Sequence, residues 1–381
     1  MIYLDNAATS FPKNEVALRR AMEIYLALGA SPGRGGYDRA VEAEEMVSAV
    51  RREVAKFFNA PAGSRVCFAA NATDALNTLI QGLYGSATHI ISTSLEHNSV
   101  LRPLRHMERL GLQVDLIGFD EAGYINPQDI RLKLRPETKA VIVNHASNVL
   151  GTVQPVAEVG DMLRDHGAAL CVDASQTAGL IPLDMQKDNI SAVAFTGHKS
   201  LRGPTGIGAL VFGPDFELAP SRFGGTGVDS SNPYQPDEYP MRLESGTQNM
   251  LGILALGECL CDLGIPKMKM ILDNEMLLFK QLYEALSSLS GVSVYGGHDL
   301  RRQVPLLSCS VKGMTAADVG AVLDGDFDIA VRTGLHCAPL VHKGLGTAPL
   351  GTVRFSLGPQ TTKENITAAI HAMEQIAFSA G

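Results

Sequence analysis

No run of apolar residues approaches the roughly 20 needed to cross a bilayer as a helix, which excludes a helical membrane protein. The opening residues, Met1-Ile2-Tyr3-Leu4-Asp5-Asn6, lack the basic start and apolar core of a secretory signal, so the expected compartment is the cytoplasm. Cysteine is scarce. There are six in 381 residues and none sits in a C-x-x-C pair, too few for a disulfide scaffold and without metal-ligand spacing, so no metal site is expected. Internal repeats, blocks of like charge and low-complexity tracts are missing as well. A formal net charge of −8 argues against nucleic acid or an anionic membrane surface as the main partner.

What is present is a chain 45% hydrophobic and 19% charged, long enough for one large domain plus a smaller one. Strand-like apolar runs lie near 66–69, 89–93, 114–119, 140–144, 169–173, 192–196 and 207–212. Amphipathic stretches such as 155–166 separate several of them. This alternation predicts an α/β fold, a mostly parallel sheet with helices on both faces, which binds ligands beyond the carboxyl ends of its strands. Residues 221–246 carry no periodic element and read as a functional or interfacial loop. A helix over 250–263 closes the large domain and another over 267–289 connects onward. Strands at 292–295, 305–311, 329–332 and 353–357, with helices at 316–323 and 363–377, predict a smaller α+β domain. Cys67, Cys171 and Cys309 fall in strand-like runs and Cys259 and Cys261 in a helical one, so these five are expected to be inert buried thiols.

The densest chemical signal is Phe195-Thr196-Gly197-His198-Lys199-Ser200, where an apolar strand ends in a turn of small residues. A lysine pinned there is desolvated, which lowers its pKa and makes it nucleophilic enough for a Schiff base with a carbonyl cofactor; a solvated loop lysine is the alternative. Ala70-Asn71-Ala72-Thr73-Asp74 joins a strand to a helix, and serves either as an anion site or as an ordinary helix cap. Asp173 ends an apolar strand, where it pairs with a cofactor's pyridinium nitrogen or caps the next helix. His97, in Leu95-Glu96-His97-Asn98, is placed to stack on a flat ring or simply to pack. Asn148 follows the 140–143 run as a neutral hydrogen-bonding group. Arg332-Thr333-Gly334-Leu335-His336-Cys337 sets a thiol on a loop beside His336 and Arg332, a setting for a reactive cysteine or for a sixth inert one. Arg354, inside a strand pattern, needs an anion, either a substrate carboxylate or an internal partner. Arg34, in the loop 31–37, reads either as edging the active site or as part of an interface.

With these segments in this order, from Tyr3-Leu4-Asp5-Asn6-Ala7-Ala8-Thr9 to Arg332-Thr333-Gly334-Leu335-His336-Cys337, the chain resembles the class V aminotransferase-like enzymes that use pyridoxal 5′-phosphate (PLP), and among them the cysteine desulfurases. The cysteine loop is similar to that of the branch that includes selenocysteine lyases. The resemblance implies a PLP-dependent transferase of fold type I. Its large PLP-binding domain, residues 15–263, holds a mostly parallel seven-stranded sheet. The smaller α+β domain, residues 1–14 and 264–381, carries the cysteine loop. It implies Lys199 as the Schiff-base lysine, Asp173 at the pyridine nitrogen, Gln176 at the phenolic oxygen and His97, counted with the catalytic groups, on the ring. Thr73 and His198 would hold the cofactor phosphate, Ala72 and Thr196 would also bind the cofactor, and Thr247 would reach the phosphate of a neighbouring subunit, hence a homodimer with shared sites. Asn148, Arg354, Arg332 and His336 would surround the substrate, and Cys337 would accept its sulfur. The implied activity converts L-cysteine to L-alanine and passes the sulfur to an acceptor protein; a selenocysteine lyase acting on L-selenocysteine, or a β-lyase or epimerase of the same fold, are alternatives. Leu335 stands where a second histidine is often found, which removes any role for that histidine.

Overall fold

The computed structural model describes residues 1–33, 35–228, 230–297 and 299–380; Arg34 lies outside the described residues. The strands in chain order are β1 (Ile2–Tyr3), β2 (Arg65–Ala69), β3 (His89–Thr93), β4 (Gln113–Ile117), β5 (Thr138–Asn144), β6 (Ala169–Asp173), β7 (Ala192–Thr196), β8 (Gly208–Phe212), β9 (Val292–Tyr295), β10 (Leu306–Val311), β11 (Ile329–Ala330), β12 (Arg332–Gly334) and β13 (Thr352–Ser356).

Strands β5, β6 and β7 are apolar almost throughout because both of their faces are buried, the signature of a covered parallel sheet. Alternation sorts their side chains. Val141, Val143, Leu170, Val172, Val193 and Phe195 join one core, under helices Asp38–Phe57, Val156–Leu163 and Met250–Asp262. Ala140, Ile142, Cys171, Ala192 and Ala194 join the other, under helices Ala72–Gly82 and Asn98–Arg109. The sheet has seven strands in the order β2-β8-β7-β6-β5-β3-β4. It is parallel from β7 through β4, and β8 runs antiparallel to both β7 and β2. Asn144, Asp173 and Thr196 therefore end three adjacent parallel strands on one edge, where the strand rule puts a ligand.

A four-stranded antiparallel sheet, β12-β13-β10-β9, forms the second unit, backed by helices Ile265–Ser288, Ala316–Phe327 and Lys363–Ala380. Here two expectations are corrected. The strand expected at 329–332 is two strands: Ile329–Ala330 pairs in parallel with β1, while Arg332–Gly334 pairs with β13. The chain changes sheets at Val331 because the N-terminal segment claims the backbone of residues 328–330, through Ile2 N–H to Asp328 O (2.8 Å) and Leu4 N–H to Ala330 O (2.9 Å). Cys261 is exposed, unlike the buried Cys67, Cys171, Cys259 and Cys309, because it lies in the last turn of its helix, off the face that packs. Among the described residues, no helix is long and apolar enough to cross a membrane.

Gly208 opens β8 where the turn at Asn71 crosses the sheet. A Cβ there would lie 2.5 Å from Phe195 O and 2.9 Å from Asn71 C, both backbone atoms that cannot swing aside. Gly208→Ala should therefore destabilise the protein by about 1–3 kcal/mol, read as a lower urea midpoint. An unchanged midpoint would mean that the turn is free to move.

Candidate active site

Lys199 is placed by the way β7 ends. Gly197 N–H donates to Ile207 O (2.9 Å), Gly203 N–H to Gly197 O (2.8 Å) and Arg202 N–H to Lys199 O (2.7 Å), closing a tight loop. Desolvation lowers the Lys199 ammonium to a pKa of about 8; Asp173 opposes that fall, while the Arg354 and Arg332 charges add to it. Across from it, Asp173 accepts at Oδ1 from Ser175 N–H (2.9 Å) and from the Ser175 hydroxyl. This local turn uses one carboxylate oxygen and leaves the other to the cavity.

That cavity, about 310 Å³, is lined by Lys199, Asp173, His97, Ala72, Thr73, Gln176, Thr196, His198, Asn148, Arg332, His336 and Arg354, together with Ala7, Ser99 and Ser175. It thus gathers every site residue expected from the sequence except Thr247 and Cys337. Thr247 lines a separate pocket with Arg51 and Glu244. Within one chain it does not reach the cavity.

His97 caps helix Asn98–Arg109, its Nδ1 accepting from Ser99 N–H (3.0 Å). Burial, helped by the Lys199 charge, lowers it to about 4, so the ring is neutral at pH 7. Ser99 Oγ lies 2.8 Å from His97 Nδ1 and 2.6 Å from Thr73 Oγ1, a relay with no signal in the sequence. His198 is also lowered to about 4, by burial and then by Lys199. Gln176 Nε2 donates to Ala7 O (3.3 Å), so the N-terminal segment forms one wall. Asn71, capping helix Ala72–Gly82 through Asp74 N–H, makes the ordinary-cap reading of 70–74 true of that residue. The N–H groups of Ala72 and Thr73 nonetheless have no partner among the described residues.

Arg354 is 1% exposed and has an internal partner, one of the two readings of its sequence. Nη2 donates to Asp5 Oδ1 (2.8 Å) and Nη1 to Asn148 O (3.0 Å), while buried Nε has no partner. Asp5 was unrecognisable as its partner, 349 residues away in sequence. Glu96, also without a signal, is a buried carboxyl that accepts from Thr93 Oγ1 (2.7 Å) and Asn144 N–H (3.0 Å). Burial raises it to about 8.

The cysteine loop hangs on this frame. Asn148 Nδ2 donates to His336 O (2.7 Å) and Asn98 N–H to Cys337 O (2.7 Å). His336 and Cys337 both take positive φ, 47° and 59°, a strained pair for residues with side chains. His336 is buried against Thr352 Oγ1 (3.1 Å) and lowered to about 2, chiefly by desolvation and then by Arg354. Cys337 is exposed, with Arg332 Nη2 3.9 Å from its Sγ. Its thiol opens on a groove of about 390 Å³ that shares Thr73, His97 and Ser99 with the cavity.

The Aminotransferase class-V family model matches residues 2–368. A probable cysteine desulfurase of Methanothermobacter thermautotrophicus is 32% identical over 382 residues, covering 99% of this chain and 94% of that protein. One from a Synechocystis species is 33% identical over 389 residues, with coverage of 98% and 90%. The apo structure of a cysteine desulfurase from Thermococcus onnurineus NA1 matches with a TM-score of 0.90 at 33% identity, over 99% of this chain and 95% of that one. A match across nearly all of its length, on a seven-stranded α/β frame with the lysine at the carboxyl edge, makes this chain a member of the class-V aminotransferase family, of fold type I.

Proposed function

We propose that this protein is a homodimeric, PLP-dependent cysteine desulfurase that turns L-cysteine into L-alanine and carries the sulfur on Cys337. The observation that carries the reading is the continuity of two openings: the cavity of Lys199 and Asp173 and the groove of Cys337 meet at Thr73, His97 and Ser99, and Arg332 reaches both. A lysine and an aspartate alone would serve many amino-acid reactions. A thiol at the mouth of the same cleft serves one that moves sulfur.

The residues present fit PLP. Thr196 Oγ1 is buried without a partner, and the Ala72 and Thr73 N–H groups are open at a helix N-terminus. Asp173 keeps one free oxygen, and Lys199 is a desolvated amine. Ala72, Thr73, Thr196 and His198 would hold the phosphate, Asp173 the ring nitrogen and Gln176 the phenolic oxygen. Neutral His97 would lie on the ring without adding charge, and Lys199 would hold the aldehyde carbon. Bound there, PLP would supply an electron sink for charge developing at the substrate Cα. We assign Thr247 to the phosphate of the partner subunit's site, which makes the active unit a dimer. Residues 15–263 are taken as the cofactor domain, and 1–14 with 264–381 as the smaller one. The β1–β11 pairing and the bonds of Asn6 and Ala7 to Ser356 support that division.

The substrate carboxylate is assigned to Arg354, whose Nε is the buried donor lacking a partner, with Asn148, Arg332 and His336 around it. Once the substrate amine has taken its place, Lys199 Nζ accepts the α-proton, and it returns a proton to Cα after the sulfur has left. Cys337 Sγ, as thiolate, then bonds to the substrate sulfur. The Cβ–S bond breaks, its electron pair stays with carbon, and a proton converts that carbon to the methyl group of alanine. Arg332 is placed to face the sulfur anion on Cys337.

Protein reconstituted with PLP should show a visible band that shifts on adding L-cysteine, with alanine formed and a persulfide on Cys337 by mass spectrometry. Pyruvate, or alanine without the persulfide, would move the chemistry to another member of the family. Cys337→Ala should still bind cofactor and L-cysteine but transfer no sulfur; wild-type transfer would remove Cys337 from the mechanism. Charged hydrogen bonds are worth about 1.5–3 kcal/mol, so Arg354→Gln should raise KM about ten- to hundredfold. An unchanged KM would assign the carboxylate elsewhere. The cofactor-free protein gives a further check. Lys199 sits near 8 when folded against an ordinary 10.5, so between those values the unfolded chain binds the extra proton and stability rises with pH. Lys199→Met should lack that rise. A wild-type minus variant difference that stays flat across this window would contradict the desolvated amine.

A further inference from the structure

The groove outside Cys337 differs in charge from the chain as a whole. Its walls are two helices: Asn77 and Gln81 on Ala72–Gly82, and Arg102 and His106 on Asn98–Arg109. Among the described residues no carboxylate lines it, although the protein carries a net charge of −8. Arg102 and His106 are four residues apart and so share one helix face. Both are exposed, and Arg102 has no ion-pair partner among the described residues. The adjacent Arg105, on another face, is held by Glu108 at 2.6 Å. Arg332, at the inner end beside Sγ, has no ion-pair partner among the described residues either. The helix that carries Arg102 also starts at the cysteine loop, where Asn98 N–H donates to Cys337 O, so its positive end lies against that loop. Fields reach only about 8 Å at physiological ionic strength, so the acidic remainder of the surface does not cancel this patch.

We propose that this groove docks the sulfur acceptor, and that it selects a protein whose accepting cysteine is flanked by carboxylates. The proposal rests on the persulfide chemistry put forward above. In the transfer, the acceptor thiolate attacks the outer sulfur of the Cys337 persulfide. A bond forms between acceptor sulfur and that sulfur, and the bond from Sγ to it breaks. Cys337 leaves as a thiolate beside Arg332, and the proton given up by the acceptor thiol passes to solvent. The sulfur moves at the sulfane level, so no outside oxidant or reductant is needed. Carboxylates next to the accepting cysteine would meet Arg102 and His106 at the rim. Lysines there would be repelled, and the cost would fall on the association rate.

The test uses holoenzyme, three synthetic pentapeptides with a central cysteine flanked by glutamates, serines or lysines, and the double substitution Arg102→Glu and His106→Glu. The enzyme is loaded with one equivalent of L-cysteine, alanine is assayed, and the persulfide arriving on each peptide is timed by mass spectrometry. At low salt the glutamate peptide should react about tenfold faster than the lysine peptide. That ratio should collapse at high salt and invert in the double variant, while alanine yield in the single turnover stays the same. Arg102→Gln should abolish the preference without inverting it. Comparing ratios between enzymes cancels the intrinsic reactivity of each thiol. A preference that is absent, or identical in wild type and variants, overturns the proposal. The same peptides with serine in place of cysteine, followed by fluorescence anisotropy on unloaded holoenzyme, read the groove without chemistry. If no persulfide forms on Cys337, the desulfurase reading fails, and the anisotropy order still decides whether the groove selects carboxylates.

Discussion

A guanidinium buried at the junction of three chain segments sets the geometry of this cleft. Arg354 on β13 is tied to Asp5 from the N-terminal segment and to the carbonyl of Asn148 from the loop after β5. Asn148 in turn holds the carbonyl of His336, and Asn98 holds that of Cys337. The cysteine loop is thus tied to the cofactor side at two points, one of which leads through Asn148 to this charged group. A buried charge without its partner is worse than no charge, costing about 3–5 kcal/mol when one member is removed. Segments 1–10 and 352–356 are therefore held together more firmly than their short strands alone would hold them.

The rest of the cleft limits how many other charges exist. Burial keeps His97 and His198 neutral, each lowered to about 4. It raises Glu96 to about 8, so that carboxyl is largely protonated at neutral pH. Asp173 then faces Lys199 with Arg354 and Arg332 nearby, and the other carboxylate acting on the lysine, Asp5, is tied to Arg354. In a poorly screened site each remaining charge acts at longer range. The lowered Lys199 follows mainly from that desolvation, with Arg354 and Arg332 pushing the same way.

The central sheet was legible because strands buried on both faces must be apolar without interruption, and such runs mark themselves in the sequence. Their ends were legible too. Asp173 and Thr196 are polar residues placed just past apolar runs, and the parallel arrangement brings those ends together. What stayed hidden depends on contacts between distant segments. β1 and β11 are two residues each and pair across the whole chain, so neither has a pattern of its own. The same pairing is why the 329–332 strand divides. Asp5 and Ser99 are ordinary polar residues in sequence and acquire meaning only from what folding sets beside them. Cys261 was misread because a helical apolar pattern tells which face packs only after the helix ends are known.

The separation of Lys199 from Cys337 follows from opposite solvation needs. A base of lowered pKa must be withdrawn from water, and the Lys199 amine is withdrawn behind the turn that ends β7. A thiol that hands its cargo to another molecule must reach the surface, and Cys337 does. The loop resolves this conflict within two residues: His336 turns inward to Thr352 while Cys337 turns outward to the groove. Opposite directions from adjacent residues require an abrupt backbone, and both residues adopt positive φ, a conformation that costs about 1–3 kcal/mol per residue. The hydrogen bonds from Asn148 and Asn98 to the two carbonyls of this pair hold it there, and both donors stand on the cofactor side of the cleft. On the proposed reading, the groups that surround the substrate thereby also keep the sulfur carrier within reach of it.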